Sequence, residues 1–435
     1  LVFSAINDNE SLKSTNFVID TNSRISLSNN DSGAFNTIFG SNTGGSSIHS
    51  GAGFNVIIGD GAANDGAKSV AFDHNTIVGY SAGEDTTTAA NNTLIGSLSG
   101  ETLLTGTDNV CIGYRTMFDL DAGTTAQGSS SNVIIGSYAG SGAWANQNNS
   151  NLVIIGRDAC AGAMEGDTTD GTVAIGYAAL TALTTGTGNL AIGYLALQGH
   201  TTGHRNIAIG YGTMRDTDHH ADVQGSIDNT FIGFQSGGGE WQTNDSNYNV
   251  GIGNYVMDAD GMNGALYNTA VGMSALSSLT SGARNIAVGS NAGLGLADST
   301  DCTFIGYQAG EDVDSSGSVP HGCTYVGSYS GKNLDDGTHN TAVGFNAMIG
   351  TTGGSTCNLN VGIGKDALES IRTGDQNVVI GADAGDGTVD VDDTVIIGYG
   401  AGSAVMTDAA DGTVGIGKSA LAQLTTGAGN TAVGY

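Results

Sequence analysis

Asn189-Leu-Ala-Ile-Gly193 returns seventeen residues later as Asn206-Ile-Ala-Ile-Gly210, and Asn430-Thr-Ala-Val-Gly434 repeats the same pattern. The unit is an asparagine, mostly apolar residues ending in Ile or Val, and a glycine. We call this glycine the anchor glycine and number coil positions from it, so that the asparagine stands at position −4. Because the unit recurs along most of the chain, the repeat decides the fold.

The period of the repeat is short and variable. Twenty-two anchor glycines occur, and ten of their 21 spacings are 17 residues while the others run from 19 to 23. Such a period is too short for a helix pair or a propeller blade, but it fits one coil of a β-solenoid. We therefore predict an all-β fold, a parallel β-solenoid or β-roll of about 22 coils. At a strand spacing of about 4.8 Å these coils would stack into a rod roughly 100 Å long.

Three positions of the unit predict a structural ladder. The residue before the anchor glycine is Ile or Val in 21 of 22 units, which favours stacking inside the coil. The anchor glycine is expected at a corner that needs positive φ or close backbone approach. Asn stands at position −4 in 16 units, where stacked amides can bond to one another. The ladder residues are Asn189, Ile192, Gly193, Asn206, Ile209, Gly210, Asn430, Val433 and Gly434.

Position −2 is apolar or small in every unit and never charged, as in Ile57, Ala191 and Phe231. Neighbouring strand residues point to opposite faces, so an interior Ile/Val ladder would place position −2 outward. A long exposed apolar stripe promotes association. Burial against other copies in a homotrimeric rod would remove it. The alternative is a thick monomeric coil whose own loops cover both faces.

The chain also has a larger organisation. Residues 1–35 lie outside the repeat and read as a lead-in or cap with two short strands, 16–20 and 24–28. Residues 36–435 form the repeat region, in which blocks of five coils recur about every 97 residues. The longest loops recur in phase, at 115–131, 212–228 and 308–322. Residue 1 is Leu and residue 435 falls within a unit, so we expect a processed chain or a fragment.

The repeat resembles the head repeats of trimeric autotransporter adhesins and the repetitive regions of phage tail-fibre and other virion appendage proteins. The stretches that carry the resemblance are 176–180, 189–193, 424–427 and 430–434. The lead-in stretches 17–20 and 26–31 are more similar to the phage group. The resemblance covers roughly residues 36–435, and it implies a left-handed parallel β-roll and a homotrimer.

Composition excludes several functions. The chain has 72 Gly, one Pro, 42 acidic and 12 basic residues, with a formal net charge of −30. We expect no nucleic-acid partner, because phosphate binding needs clustered Lys and Arg, and no membrane insertion. No nucleophile elbow, phosphate-binding loop or zinc pattern occurs, so we expect no enzyme.

Acidic clusters are the candidate metal ligands. Alternating oxygen ligands suit Ca²⁺, although six or more must converge on the ion, so solvated acidic loops are the alternative. The candidates are Asp258, Asp260, Asn263, Asp390, Asp392 and Asp393. No other cofactor is expected.

Cysteine, histidine and tryptophan supply further candidates. Cys302 and Cys323 occupy position −4 in successive coils, where they should stack, either as a disulfide or as buried thiols. His219 and His220 lie in a long loop that would contact a metal or receptor, or face solvent. Trp144 and Trp241 are candidate contact-loop residues, either exposed platforms for sugars or anchors packed on the rod.

These features predict a structural and adhesive fibre protein, a trimeric shaft of a phage appendage on the virion surface. Its partners would be further copies of itself, other virion or filament proteins, and a host-surface receptor or glycan. The alternative is a cell-surface adhesin or an extracellular filament subunit that polymerises end to end.

Overall fold

The chain is described here from a computed structural model. The model describes residues 35–44, 48–64, 67–118, 128–145, 148–165, 169–217, 225–312, 321–351 and 355–435, together with three short strands before residue 28. Two compact units divide the chain, Leu1–Asn189 and Leu190–Tyr435. The described residues contain one 3₁₀ turn, Asp408–Ala410, and otherwise strands and turns.

The lead-in strands form a small antiparallel sheet. Its strands are β1 (Val2–Phe3), β2 (Phe17–Ile19) and β3 (Ile25–Leu27), with β2 in the centre. The two strands predicted at 16–20 and 24–28 are therefore confirmed as β2 and β3.

The first unit continues as a parallel β-solenoid with one three-residue strand per coil. Its strands are β4 (Thr37–Phe39), β5 (Val56–Ile58), β6 (Thr76–Val78), β7 (Thr93–Ile95), β8 (Val110–Ile112), β9 (Val133–Ile135), β11 (Val153–Ile155) and β13 (Val173–Ile175). Two-residue strands β10 (Trp144–Ala145) and β12 (Met164–Glu165) pair in parallel elsewhere on the coils. Each main strand pairs in register with the next, as Ile57 does with Ile77.

The second unit is a parallel β-solenoid of fourteen strands. They are β14 (Leu190–Ile192), β15 (Ile207–Ile209), β16 (Thr230–Ile232), β17 (Val250–Ile252), β18 (Thr269–Val271), β19 (Ile286–Val288), β20 (Thr303–Ile305), β21 (Thr324–Val326), β22 (Thr341–Val343), β23 (Val361–Ile363), β24 (Val378–Ile380), β25 (Val395–Ile397), β26 (Val414–Ile416) and β27 (Thr431–Val433). Both units thus confirm the predicted all-β parallel solenoid.

The interior of the coils is formed by position −2, and here the prediction was wrong. Ile57, Ala191 and Phe231 are fully buried, whereas the Ile and Val residues at position −1 are half-buried or exposed. Ile192 and Ile209 are half-buried and Val433 is exposed, so these three residues belong to the outward face and not to an interior ladder. The physical reason is strand alternation: position −2 has the same parity as the buried Asn at −4.

The anchor glycines confirm their predicted role. Gly193, Gly210 and Gly434 have φ of 143°, 140° and 137°, in the region that favours glycine. A Cβ atom added to Gly210 would overlap the carbonyl oxygen of Gly233 in the next coil. The same overlap recurs from coil to coil, so each anchor glycine permits the close stacking of its neighbour.

The Asn ladder is also confirmed. Asn249 donates from Nδ2 to Asn229 Oδ1 at 3.2 Å and to the carbonyl of Ala265 at 2.8 Å. The backbone N–H of Asn249 donates to the same Asn229 oxygen at 3.0 Å. Asn206 is fully buried, and its Oδ1 accepts hydrogen bonds from Asn229 in the same way. Asn189 is buried and Asn430 is half-buried. Each buried amide therefore binds its coil to the next one.

Candidate functional site: the outward face of the sheet

The outward face of the solenoid sheet consists of positions −3 and −1 of every coil. Both positions flank the buried position −2, so their side chains point away from the interior. In the second unit Ile286 and Val288 of one coil are 43% and 38% exposed, and Ile305 of the next is 40% exposed. The strands pair in register, so these β-branched side chains form two continuous columns. Position −1 is apolar in every coil, and position −3 holds Val, Ile, Leu or Thr, as in Thr303. A regular surface of this kind is a candidate interaction site.

Aromatic side chains border this face at position +1. Tyr194 stacks on Tyr211 with ring centroids 4.9 Å apart, and Tyr211 stacks on Phe234 at 5.2 Å. All three rings are between 39% and 47% exposed. A second stack forms at position −5, where Tyr248 and Tyr267 lie 4.9 Å apart. Exposed aromatic rings add area to a surface that can bind another molecule.

Two arginines at position −5 pair with aspartates of the next coil. Arg205 forms a two-point ion pair with Asp228, with N–O distances of 2.7 and 2.8 Å. Arg284 pairs with Asp301 in the same way at 2.6 and 2.9 Å. The hydrogen bond from Arg205 lowers the pKa of Asp228, and that from Arg284 lowers the pKa of Asp301. These exposed pairs fix register more than they stabilise the fold.

In the first acidic cluster, two of the predicted calcium ligands, Asp260 and Asn263, accept hydrogen bonds from the backbone. Asp260 Oδ1 accepts the backbone N–H of Glu240 at 3.3 Å, and Asn263 Oδ1 accepts that of Asn244 at 2.8 Å. Asp258 lines a polar surface pocket, and desolvation by burial raises its pKa to about 6. The two oxygen atoms therefore serve different backbone amides.

The second acidic cluster is likewise occupied by hydrogen bonds. Asp390 Oδ1 accepts the Thr373 hydroxyl at 2.8 Å, and Asp392 Oδ1 accepts the backbone N–H of Asp375 at 2.7 Å. Asp393 has a positive φ of 57° at position −5. Among the residues that the structure describes, no three His, Cys, Asp or Glu side chains are grouped so as to hold a metal ion.

A second polar ladder, at position −6, was missed by the sequence reasoning. Asn358 N–H donates to Asp375 Oδ1 at 2.6 Å, and Asp392 N–H donates to Asp411 Oδ1 at 2.9 Å. In this ladder the later coil supplies the oxygen, whereas in the Asn ladder the earlier coil supplies it. The signal that could have found it is the frequent Asp, Asn, Ser or Thr six residues before the anchor glycine.

The five cysteines are buried free thiols. Cys302 and Cys323 stack as predicted, and their hydrogen bond together with burial raises the pKa of Cys302 above its usual range. Cys323 Sγ also donates to the Gly337 carbonyl at 3.2 Å. Burial raises the pKa values of Cys111, Cys160 and Cys357 to about 12. Thiols of this kind pack as small apolar side chains.

The tryptophans are interior residues, which excludes exposed platforms for sugars and agrees with the alternative of anchors packed on the rod. Trp144 is fully buried and Trp241 is 1% exposed, and Trp241 donates from Nε1 to the Gly237 carbonyl at 3.2 Å. Each lies in a coil of 20 residues, and Trp241 packs edge-on against Phe231. His219 and His220, and the central parts of the three long loops (119–127, 218–224 and 313–320), lie outside the described residues.

No protein-family model matches the chain, and no curated protein is significantly similar to it. Within the described ranges there is no helix with the length and apolar character that crossing a membrane requires. A function must therefore be inferred from the fold and its surfaces. A β-solenoid fits a structural fibre or adhesin-like role.

Proposed function

We propose that the chain is a structural and adhesive fibre protein, a homotrimeric β-roll shaft of a phage appendage that presents loops for host attachment. The observation that carries this proposal is the continuous β-branched outward face at positions −3 and −1. Burying that face against two further copies removes apolar surface from water at about 25 cal/mol per Å². A closed three-fold arrangement uses the same face of each chain and leaves none of it unpartnered.

The adhesive part of the proposal concerns the in-phase loops. A homotrimer would display each loop three times at one level of the shaft, which raises avidity without new contacts. In this role the protein acts as a mechanical support and binds a receptor, and it does not catalyse a reaction. It would lie on the virion surface beside other virion proteins.

Native mass spectrometry of the full chain tests the trimer. We expect a species of three times the 43.4 kDa chain mass. Replacing Ile209 and Ile232 with Lys on the outward face should release monomers, whereas Gln198→Lys, outside this face, should leave the trimer intact. A soluble, folded wild-type monomer would contradict the proposal.

Immunogold electron microscopy of source material tests the location, with an antibody against residues 212–228. Label on appendages of virus particles is the expected result. Label along cell surfaces or free filaments would overturn the phage assignment in favour of a cell-surface adhesin or filament.

A further inference from the structure

A one-coil notch interrupts a surface column of the second unit. Position +5 holds Arg215, Gly238 and Asp258 in three successive coils. Gly238 has no side chain, so the notch opens between the guanidinium on one side and the carboxylate on the other. Two coil spacings of about 4.8 Å separate the flanking backbones. Among the described residues, Gly238 is the only glycine at this position; Gly45, at position +5 of the first coil, lies outside them.

The notch is a pocket with polar walls. The empty space in it, including the solvent at its open mouth, is about 400 Å³. The lining residues are Arg215, Gln235, Gly238, Gly239, Asp258 and Asp260.

Several of these polar groups have unused hydrogen-bonding capacity. Within the described structure, the Gln235 side-chain amide has no hydrogen-bond partner, and the Asp258 carboxylate accepts only its own backbone N–H. Asp260 uses one oxygen for the N–H of Glu240. Carboxylate oxygens accept and the Gln amide both donates and accepts, so the pocket can bind a ligand rich in hydroxyl groups.

The charge of the pocket restricts the ligand. Arg215 pairs with Asp216 at 2.7 Å, so its charge is already compensated. Asp258 and Asp260 add two carboxylates, and the chain as a whole carries a formal charge of −30. Acidic ligands are therefore repelled, whereas neutral and amino-substituted ligands are not.

An exposed aromatic strip lies on the same three coils as the pocket-lining residues Arg215, Gln235 and Asp258. Phe234 directly precedes Gln235, and its ring lies 5.2 Å from that of Tyr211 and 5.4 Å from that of Tyr255. Aromatic surface beside hydrogen-bonding groups suits a ligand with apolar C–H faces and polar edges.

We propose that this pocket binds a non-acidic sugar residue, neutral or amino-substituted, of a polysaccharide or glycoconjugate. Asp258 and Gln235 bond to ring hydroxyl or amino groups, and the strip of Tyr211, Phe234 and Tyr255 packs against the C–H face. The site lies within one chain and does not depend on the trimer or on the phage assignment.

Saturation-transfer difference NMR on the full-length protein tests the site, with glucose, galactose, N-acetylglucosamine and glucosamine at millimolar concentration. We expect signals from at least one of them and none from glucuronic acid. Gln235→Ala and Asp258→Ala should each weaken binding by about tenfold, since each removes hydrogen bonds to the ligand. Asn346→Ala is the matched control, because Asn346 occupies the same position +2 as Gln235, with a similar backbone conformation, away from the pocket.

Three results would overturn the proposal: no signal from any non-acidic sugar, stronger binding of glucuronic acid, or binding that both pocket variants leave unchanged. A monomeric protein that binds a sugar through Gln235 would contradict the homotrimer and support this pocket. The homotrimer and the sugar site can therefore be disproved independently of each other.

Discussion

At the scale of single residues, the anchor glycines impose the strictest demand on the sequence. Gly210 combines a φ of 140° with a position where any Cβ overlaps the Gly233 carbonyl. Backbone cannot move aside as a flexible side chain can, so neither the conformation nor the contact tolerates substitution.

We expect Gly210→Ala to lower the free energy of unfolding by about 2–4 kcal/mol, because it combines strain with a backbone clash. Gly412→Ala is the control, since Gly412 also has positive φ but has open space around its Cα. That control should cost about 1 kcal/mol. Urea unfolding followed by circular dichroism measures both, and equal losses would show that the coil contact is unimportant.

The carboxyl group of Asp258 predicts a pH effect. Desolvation and, to a smaller extent, the charge of the neighbouring Asp260 raise its folded pKa to about 6. A raised acid pKa stabilises the fold below the unfolded pKa near 4, and this stabilisation is lost as pH rises through 6.

Asp258→Asn removes that titration. We expect the variant and the wild type to match near pH 3.5 and the variant to be more stable at pH 7, by less than about 2 kcal/mol because Asp258 is only half-buried. Thermal unfolding across this pH range measures the difference. A variant that is less stable at pH 7 would show that the carboxylate has a favourable partner.

At the scale of the coil, the two polar ladders and the left-handed turns act together. In the described coils, positions −5, +2 and +4 all have positive φ, and most of them are not glycine, as in Leu195, Leu197 and Arg205. Such residues cost about 1–2 kcal/mol each in isolation. Position −5 lies between the two ladders, at −6 and −4, and their stacked hydrogen bonds hold it in place.

The Asn ladder gives a prediction for one rung. Asn268 donates to Asn249 Oδ1 and the Gly282 carbonyl, and its oxygen accepts from Asn285. Asn268→Leu leaves these buried groups unpaired and should cost about 2–4 kcal/mol. Asn268→Thr should cost about half as much, because Thr394 already bonds to Asn377 in the equivalent place. Urea unfolding compares the two variants, and equal losses would show that volume matters more than the hydrogen bonds.

The repeat period and residue identities sufficed to predict the solenoid, the Asn ladder and the anchor glycines, because each follows from stacking identical positions. The interior face could not be chosen from alternation alone, since both parities are apolar. Parity with the buried Asn at −4 would have chosen position −2. The pocket at Gly238 was missed because it arises from unlike residues in three coils, which a search for repetition passes over.

At the scale of the whole molecule, net charge opposes self-association. A formal charge of −30 on each chain repels other copies, and salt screens that repulsion with a Debye length of about 10 Å at 0.1 M. We expect the trimer proposed above to dissociate more readily at low ionic strength. Analytical ultracentrifugation between low and physiological salt measures this, and stronger association at low salt would indicate attractive charge pairing between chains.

The matching of every coil to its neighbours also bears on how such a chain changes length. Each coil presents to the next coil the same hydrogen-bonding groups that it meets on the previous one. Adding or deleting one complete coil therefore leaves the contacts between neighbouring coils unchanged. A one-residue insertion inside a strand would turn the side chains that follow it in that strand to the wrong face. Loops between strands accept additions, as the spacings of 17 to 23 residues show. Gene duplication can therefore extend the sheet itself only by whole coils.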